Sequence, residues 1–367
     1  MRVGTRPSPA VTKATTTPTT ERRHVRGVWA NRFAGWLFPL AAWASGGATP
    51  RAESPPAHPA PPLHRGPPTD YVSAAGLRWL LLLKPQQLLA EPELAKAIRA
   101  IVPDRRFDAF TESSGVDLRA VPSAAVAGFA YSTLYLAELP HGVASLARAR
   151  FTERLLSGPV TKRPHPALVR IAGVIGQTPE TLLTVEDRLL AVAVGDPLQA
   201  KIAEAYAMAR LQRSPAALRG AALSALPDLF SNNAAVLLAP GPFADDWQRA
   251  ANGLLQSTVA IGIAARPAAG KVATTICLAG AWGDSADEAS ARLASAWTRF
   301  AESSAGRLFE LNPVANVSPS SELLTLTVEL DLNGLVRGLQ ASVLGDLSQI
   351  LHLPEKIPQG EPAVPAN

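Results

Sequence analysis

The sequence predicts an α+β fold of two related α/β sandwich modules, with mostly antiparallel sheets and helices packed on one face. From residue 70 onward, apolar runs of strand length alternate with amphipathic segments of helical spacing. Several of these runs follow one another through short turns, which favours antiparallel pairing and segregated helices. The run Leu189–Val194 followed by Asp196 is paralleled by Leu323–Val328 followed by Asp331, which indicates a repeated unit.

The first module, residues 70–210, alternates buried strands with amphipathic helices. Pro92 occupies the first position of a helix, where its missing N–H is tolerated, and Pro197 begins another helix. A further helix, Val143–Leu156, carries apolar residues at helical spacing. The predicted strands of this module are Arg78–Leu83, Ala124–Ala130, Thr133–Leu139, Leu168–Ile175 and Leu189–Val194.

A helical connector, residues 211–233, leads to the second module, residues 234–353, and the chain ends in a loose tail, 354–367. Ser285 and Glu288 have the spacing of a capping box and predict the start of a helix. The other predicted helices are Asp245–Gln256 and Gly334–Leu351, and the predicted strands are Ala235–Leu238, Thr258–Ala265, Lys271–Ala281 and Leu323–Leu330.

The basic charge of the chain is concentrated near its start. The whole chain has a formal net charge of +5 and a pI of 9.6. Residues 1–44 contain seven Lys/Arg and one Glu, a net charge of +6, so residues 45–367 sum to −1. A near-neutral protein lacks the attraction to phosphate that provides most non-specific affinity for nucleic acids. We therefore expect no nucleic-acid partner.

The apolar run 33–43, preceded by arginines, predicts a signal peptide within the leader, residues 1–44. As a helix it would span about 16 Å, half of a bilayer core, so we expect no stable transmembrane span. Ala42-Trp43-Ala44 is an A-x-A site and predicts cleavage before Ser45, with Gly46-Gly47-Ala48 as a second candidate. We expect export to the periplasm, the outer envelope or the outside of a bacterial cell.

Two further features bear on whether the exported chain is anchored to the envelope and on what precedes its fold. Leu40–Trp43 resembles a lipoprotein box, but Trp43 stands where the lipidated cysteine is required, so we expect no acyl anchor. Residues 45–69 are rich in proline, which predicts an extended, semi-rigid tether.

We expect no catalytic, cofactor-binding or metal-binding residue from the motifs of the chain. Glycine-rich phosphate loops, G-x-S-x-G elbows and H-E-x-x-H pairs do not occur in it. Asp245 and Asp246 are adjacent, so on a helix their carboxylates point apart. The single cysteine, Cys277, lies in an apolar run and predicts a buried core residue. The histidines of the folded part have no companion ligands near them in the sequence, so they predict no metal site: His141, His165 and His352.

Trp282 is the candidate binding contact, because it follows a strand directly before Gly283 and is the aromatic residue most readily exposed. All of these aromatic residues, Trp282 included, are otherwise placed like core or hairpin residues: Trp79, Tyr131, Tyr135, Trp247, Trp282 and Trp297.

The phrase Glu112-Ser-Ser-Gly115-Val-Asp117-Leu follows a predicted helix and precedes a hairpin. In this layout, over roughly residues 70–353, the chain resembles uncharacterised exported, often lipoprotein-like proteins of high-GC Gram-negative bacteria. It departs from them at Trp43, where many of them carry a lipidated cysteine. The resemblance implies export and brings neither a known activity nor a functional residue.

We therefore expect an exported, non-enzymatic binding or structural module that contacts a protein, peptide or lipid. Two alternatives remain open at this point: a hydrolase-type enzyme whose site is assembled from distant residues, and a periplasmic lipid or peptide carrier. A deep pocket with several shifted titratable groups would favour an enzyme. A flat face with exposed aromatic residues would favour a binding module, and an apolar cavity between sheet and helices would favour a carrier.

Overall fold

The computed structural model describes residues 61–211, 214–244, 248, 251, 253–268 and 270–350, with side chains up to residue 341. In this part of the chain, twelve strands join in one antiparallel sheet. In chain order the strands are β1 Trp79–Leu83, β2 Ala124–Gly128, β3 Ser132–Glu138, β4 Val160–His165, β5 Leu168–Ile175, β6 Thr178–Val185, β7 Leu189–Gly195, β8 Ala235–Pro240, β9 Thr258–Ala268, β10 Lys271–Gly280, β11 Asn316–Pro319 and β12 Leu323–Asp331. Across the sheet their order is β11-β12-β10-β9-β8-β1-β2-β3-β7-β6-β5-β4, so β8 and β1 lie side by side near the middle, and β11 and β4 form the edges.

Eight α-helices accompany the strands among the described residues. They are α1 Pro85–Ala90, α2 Pro92–Ile101, α3 Asp104–Ser114, α4 Val143–Glu153, α5 Leu198–Ala207, α6 Ala286–Glu302, α7 Ser304–Leu308 and α8 Leu332–Ile350. The model thus has the predicted α+β class with a large antiparallel sheet.

The main core lies on one face of the sheet, called here the covered face. Leu80 and Leu82 of β1 point into it and are 0% and 1% exposed. The cover consists of α5 and the 3-10 turns Pro68–Tyr71, Ala217–Arg219 and Leu223–Ala225, whose apolar side chains join the same cluster. Central strands from both halves of the chain contribute to this core, so one cluster holds the middle of the sheet together.

Helices pack on both faces, whereas the sequence predicted helices on one face only. Residues Thr181–Val185 of β6 are buried in succession, which requires cover on both sides of the strand. Leu183 belongs to the core that contains α5, while its neighbour Leu182 packs under Phe151 of α4 on the opposite face. We call this second face the flanked face.

Other differences from the predicted elements have local causes. The strands β4 and β6 were missed, because β4 is polar and β6 begins with Thr-Pro-Glu. The helix predicted at Ser285 starts after a 3-10 turn, and the Ser285 hydroxyl donates to the Trp282 carbonyl (2.6 Å) instead of forming a capping box. The predicted connector contains two 3-10 turns rather than a longer helix.

The end of the predicted tether belongs to the fold. Leu63 is buried, and the amide of His64 donates to the carbonyl of Ala207 (2.8 Å). The leader, the rest of the tether and the tail 354–367 lie outside the described residues. Half of the predicted helix Asp245–Gln256 also lies outside them, and at its end Leu254–Gln256 forms a 3-10 turn.

Candidate functional site

One row of directly opposed residues crosses all twelve strands on the flanked face. Directly opposed residues of an antiparallel pair point to the same face, so the register fixes the row. From β11 to β4 it runs Val317, Leu326, Ile276, Ile263, Leu237, Leu81, Val126, Tyr135, Val192, Leu182, Ile171 and Thr161. Every member except Thr161 is apolar or aromatic. The flanked face is therefore built as a core surface along its whole width.

Two members in the middle of this row are exposed, whereas members on either side of them are buried. Leu326 and Leu182, toward the two ends, are 0% and 2% exposed. At the centre, Leu237 is 37% and Tyr135 is 48% exposed. On the covered face the same central strands are packed throughout, as Leu80 and Leu82 show. The exposed centre is thus a property of one face and not of poorly packed strands.

The two flanking helices explain the exposure. Phe151 of α4 packs over β5 and β6, and Trp297 of α6 packs over the β10 and β12 side. Between them lies a surface that we call the central floor, formed by Trp79, Leu81, Val126, Tyr135, Leu237, Val259 and Ile263. It extends over β9, β8, β1, β2 and β3, about 20 Å at the usual strand spacing. An α-helix with its side chains is about 10–12 Å wide, so the floor has room for one.

Trp79 lies on the central floor above a glycine. It opposes Gly128 in the register of β1 and β2. A Cβ atom on Gly128 would come within 2.2 Å of the Trp79 ring, so the ring lies directly against the Gly128 backbone. Trp79 is 37% exposed, which makes the expectation of a core or hairpin position wrong for this residue. An exposed aromatic ring on an apolar sheet is the composition typical of binding surfaces.

Trp282, the binding contact predicted from the sequence, is buried. It is 5% exposed, and its indole Nε1–H donates to the carbonyl of Leu278 (3.3 Å). It packs with Leu293 and Trp297 of α6 in the cluster that covers one flank of the sheet. The prediction failed because α6 and the 3-10 turn Leu254–Gln256 belong to the apolar cluster in which the indole is buried.

A polar cluster on the covered side involves residues that the sequence did not single out. The Tyr71 hydroxyl donates to the His64 carbonyl (2.7 Å) and accepts from Arg188 Nη2 (2.8 Å). Arg188 also donates to the Gly66 carbonyl (3.2 Å), and His64 lies 2.9 Å from Asp70. Burial raises the pKa of Tyr71 above its usual value. These bonds fix residues 64–71 to the turn after β6, which is a structural role.

The other groups with shifted pKa values lie apart from one another. Burial raises the pKa of Glu180 on β6 and of Cys277 on β10. Cys277 is 1% exposed, as the sequence predicted. The side chain of Arg119 lowers the pKa of Asp117 by donating to it, and Lys271 lowers the pKa of Glu329 in the same way. Each shift has a local partner or cause, and the groups do not share a cavity.

Within the described ranges, no group of three or more His, Cys, Asp or Glu side chains could hold a metal ion. His141 is exposed beside Asp187 (3.2 Å), and His165 lies 3.0 Å from the carbonyl of Pro61. Asp196 and Asp331 accept backbone amide hydrogen bonds from Leu198 and Gly334, at the starts of α5 and α8, which are local structural roles. His352, Asp245, Asp246, Trp247 and the cleavage-site residues Ala42, Ala44 and Ser45 lie outside the described residues.

In the described part of the chain, no helix has both the length and the apolar character needed to cross a bilayer. A crevice between α2 and the β9–β10 hairpin encloses about 10 Å³, room for about one water molecule. A wider, open groove of about 420 Å³ lies between α4 and the β4–β5 pair.

Comparison with known proteins gives only distant structural likeness. No protein-family model and no curated protein matches the chain. Crystal form III of TP0453 is 10% identical with a TM-score of 0.46, and the match covers 76% of this chain and 99% of that one. Crystal form I is 12% identical with a TM-score of 0.43 (77% and 98% covered), and crystal form IV is 10% identical with a TM-score of 0.44 (76% and 96% covered). Likeness at this level carries no information on function.

Proposed function

We propose that this chain is an exported, non-enzymatic binding module whose partner docks on the central floor. The observation that carries the proposal is the exposure of Leu237 and Tyr135 in the middle of an apolar row that is buried on either side of them, at Leu326 and Leu182. Large exposed apolar patches on folded proteins are typical of interaction sites. Open and aromatic, the floor offers contact area and has no Asp, Glu, His, Lys or Arg among the side chains that form it.

The partner that suits this surface best is the apolar face of an amphipathic helix. Burying roughly 300 Å² of floor would contribute about 7 kcal/mol at 25 cal/mol per Å², before the cost of association. Since association itself costs about 4 kcal/mol or more, this burial supports weak and reversible binding. An acyl chain would need apolar cover on all sides, which an open face provides less well, so a lipid carrier is the weaker candidate.

The proposed organisation in two related modules explains why no described helix covers the central floor. Counted outward from the neighbouring strands β1 and β8, the two halves correspond strand by strand. The strands β1, β2, β3 and β7 of one half match β8, β9, β10 and β12 of the other. In each half a helix, α4 or α6, follows the β2–β3 or β9–β10 hairpin and packs on the flanked face. Two such helices placed symmetrically on the outer strands leave the centre uncovered. The correspondence ends after β7 and β12, because α5 packs on the covered face whereas α8 packs beside α2.

The test uses a fluorescein-labelled 18-residue peptide that forms a helix with one leucine face and one face of alternating lysine and glutamate. Leu237→Asn and Val259→Asn place an amide on the floor at positions that are 37% and 47% exposed, so both variants should fold. Each is expected to raise the Kd measured by fluorescence anisotropy at least about tenfold. Leu156→Asn and Val314→Asn are the matched controls, since these side chains are exposed away from the floor.

Equal losses in floor and control variants would overturn the proposal, as would unchanged binding in the floor variants. A parallel titration with 11-dansylundecanoic acid separates the carrier alternative. If the fatty acid binds one to one and depends on Leu237 while the peptide does not bind, the chain is a carrier.

A further inference from the structure

A second surface, independent of the central floor, lies at the β4 edge of the sheet. β4 pairs with β5 on one side and is the last strand of the sheet. Alternate residues of Val160–Arg163 therefore direct their backbone N–H and C=O groups away from β5. Within the described chain, no further backbone hydrogen bond reaches these four residues. Such an edge is a template for the addition of another strand.

The open groove of about 420 Å³ runs beside this edge, between α4 and the β4–β5 pair. Val169 and Ile171 of β5 form its apolar base, and Arg148 of α4 and Arg163 of β4 line it. A helix facing an edge strand across such a groove leaves room for side chains of an added strand. Thr161 is the last member of the row that crosses the sheet, so a strand beside β4 would continue that row.

The charges along the edge are mainly positive. Lys162 and Arg163 are exposed on successive positions of β4, and no described carboxylate pairs with either of them. Glu153 also lines the groove, but Arg150 binds it (3.0 Å). On the covered face, Arg170 of β5 pairs with Glu204 of α5. Glu180, on β6, has Arg154 as its charged neighbour.

We propose that the β4 edge binds an extended segment of a partner protein that carries acidic residues around an apolar one. The segment adds as a thirteenth strand along Val160–Arg163. Successive side chains of a strand alternate between the two faces, so its apolar side chains enter the groove over Ile171, beside Arg163 and Arg148, and its carboxylates lie on the covered face beside Lys162. Pro164 ends the pairing, because proline lacks the N–H of a ladder.

Two other occupants fit this edge less well. A second copy of β4 would place Lys162 and Arg163 opposite the same basic residues, and like charges that face each other destabilise a strand pair. The upstream segment of this chain enters the fold at Pro61, 3.0 Å from His165 at the end of β4. That segment carries Pro50, Pro55, Pro56 and Pro59, which cannot form a regular ladder.

The test measures binding of a fluorescein-labelled peptide, Ser-Glu-Val-Asp-Val-Glu-Ser, to the whole protein by anisotropy. A peptide with lysine at the three acidic positions and an N-methylated acidic peptide serve as comparisons. We expect the acidic peptide to bind best, the N-methylated one at least about tenfold more weakly, and the Kd to rise with salt. Lys162→Glu/Arg163→Glu should weaken binding about tenfold or more.

Arg105→Glu/Arg106→Glu makes the same change in net charge on exposed residues of α3 and should leave the Kd within about twofold. Equal binding of the acidic and lysine peptides overturns the proposal. The proposal is also overturned if the β4 double variant leaves the Kd of the acidic peptide unchanged, if the α3 control variant weakens binding as much, or if N-methylation of the peptide has no effect. Tighter binding of a ten-residue thymidine oligonucleotide, or a dimer that the β4 variant abolishes, would assign the edge to another occupant.

Discussion

Gly115 and Asp117, which stand out in the phrase at residues 112–118, perform local structural tasks. Gly115 ends α3 in the left-handed conformation (φ 74°), which glycine adopts without strain. Val116 between them is 2% exposed and anchors the turn. Asp117 accepts from the amide of Arg119 (3.0 Å) and from its Nε (2.8 Å). The phrase is therefore a helix end followed by a capped turn.

The cap at Asp117 makes stability depend on pH. Because Arg119 donates to it, the pKa of Asp117 lies below its ordinary value. A carboxyl with a lowered pKa in the fold stabilises it above the pKa of the unfolded chain, and this is lost as the pH falls through the folded value. We expect Asp117→Ala to lower the free energy of unfolding by about 1 kcal/mol at pH 7. The difference from the wild type should shrink below about pH 4.

Urea denaturation between pH 7 and pH 2.5 checks this expectation. Asp117→Asn is the control, because it keeps an oxygen acceptor for the amide of Arg119 and removes only the charge. A loss in Asp117→Ala that stays constant over the whole pH range would show that the charge of Asp117 contributes nothing.

At the scale of elements, the close approach of α3 and α4 depends on Gly115. A Cβ atom there would lie 2.8 Å from Leu146 Cγ and 3.0 Å from the Ala147 nitrogen of α4. Gly142, in front of α4, has a similar backbone (φ 84°) but no neighbouring heavy atom within 4 Å of the Cβ position. Substitutions at the two glycines therefore distinguish the cost of backbone strain from the cost of disturbing the packing of α3 on α4.

We expect Gly142→Ala to cost about 1 kcal/mol, the strain of the left-handed conformation alone. Gly115→Ala should cost about 1–3 kcal/mol more, since α3 or α4 must also shift. The free energies of unfolding in urea measure both. Equal losses in the two variants would mean that the α3–α4 contact adapts to a methyl group at no cost.

Apolar strands were predictable and polar ones were not. The strands β1, β5, β7 and β12 and the β9–β10 hairpin were predicted within a few residues, because each contains an apolar run of strand length. The edge strand β4 reads Val-Thr-Lys-Arg-Pro-His and carries no such signal, since an edge strand needs little apolar surface. For this reason the sequence could not indicate the β4 edge as a binding surface.

At the scale of the whole molecule, export is the prediction that depends on residues before the fold. We expect the mature protein, recovered from the cell envelope or the medium, to begin at Ser45. Mass spectrometry of its N-terminus after fractionation measures this directly. Ala44→Lys should block processing, whereas Trp43→Lys, at the variable position of the A-x-A site, should be processed. Cytoplasmic protein that begins at Met1 would contradict export, and a start at Thr49 would favour the second cleavage site.

The sequence by itself determined the α+β class, the positions of most strands and the burial of Cys277. These follow from local alternation and from short-range turn chemistry. Only the tertiary structure decided which apolar residues stay exposed. Trp79 and Trp282 both border strands, yet a helix and a 3-10 turn enclose Trp282 while nothing described covers Trp79. The difference depends on where α4 and α6 pack across a twelve-stranded sheet, and such long-range placement leaves no pattern around either tryptophan.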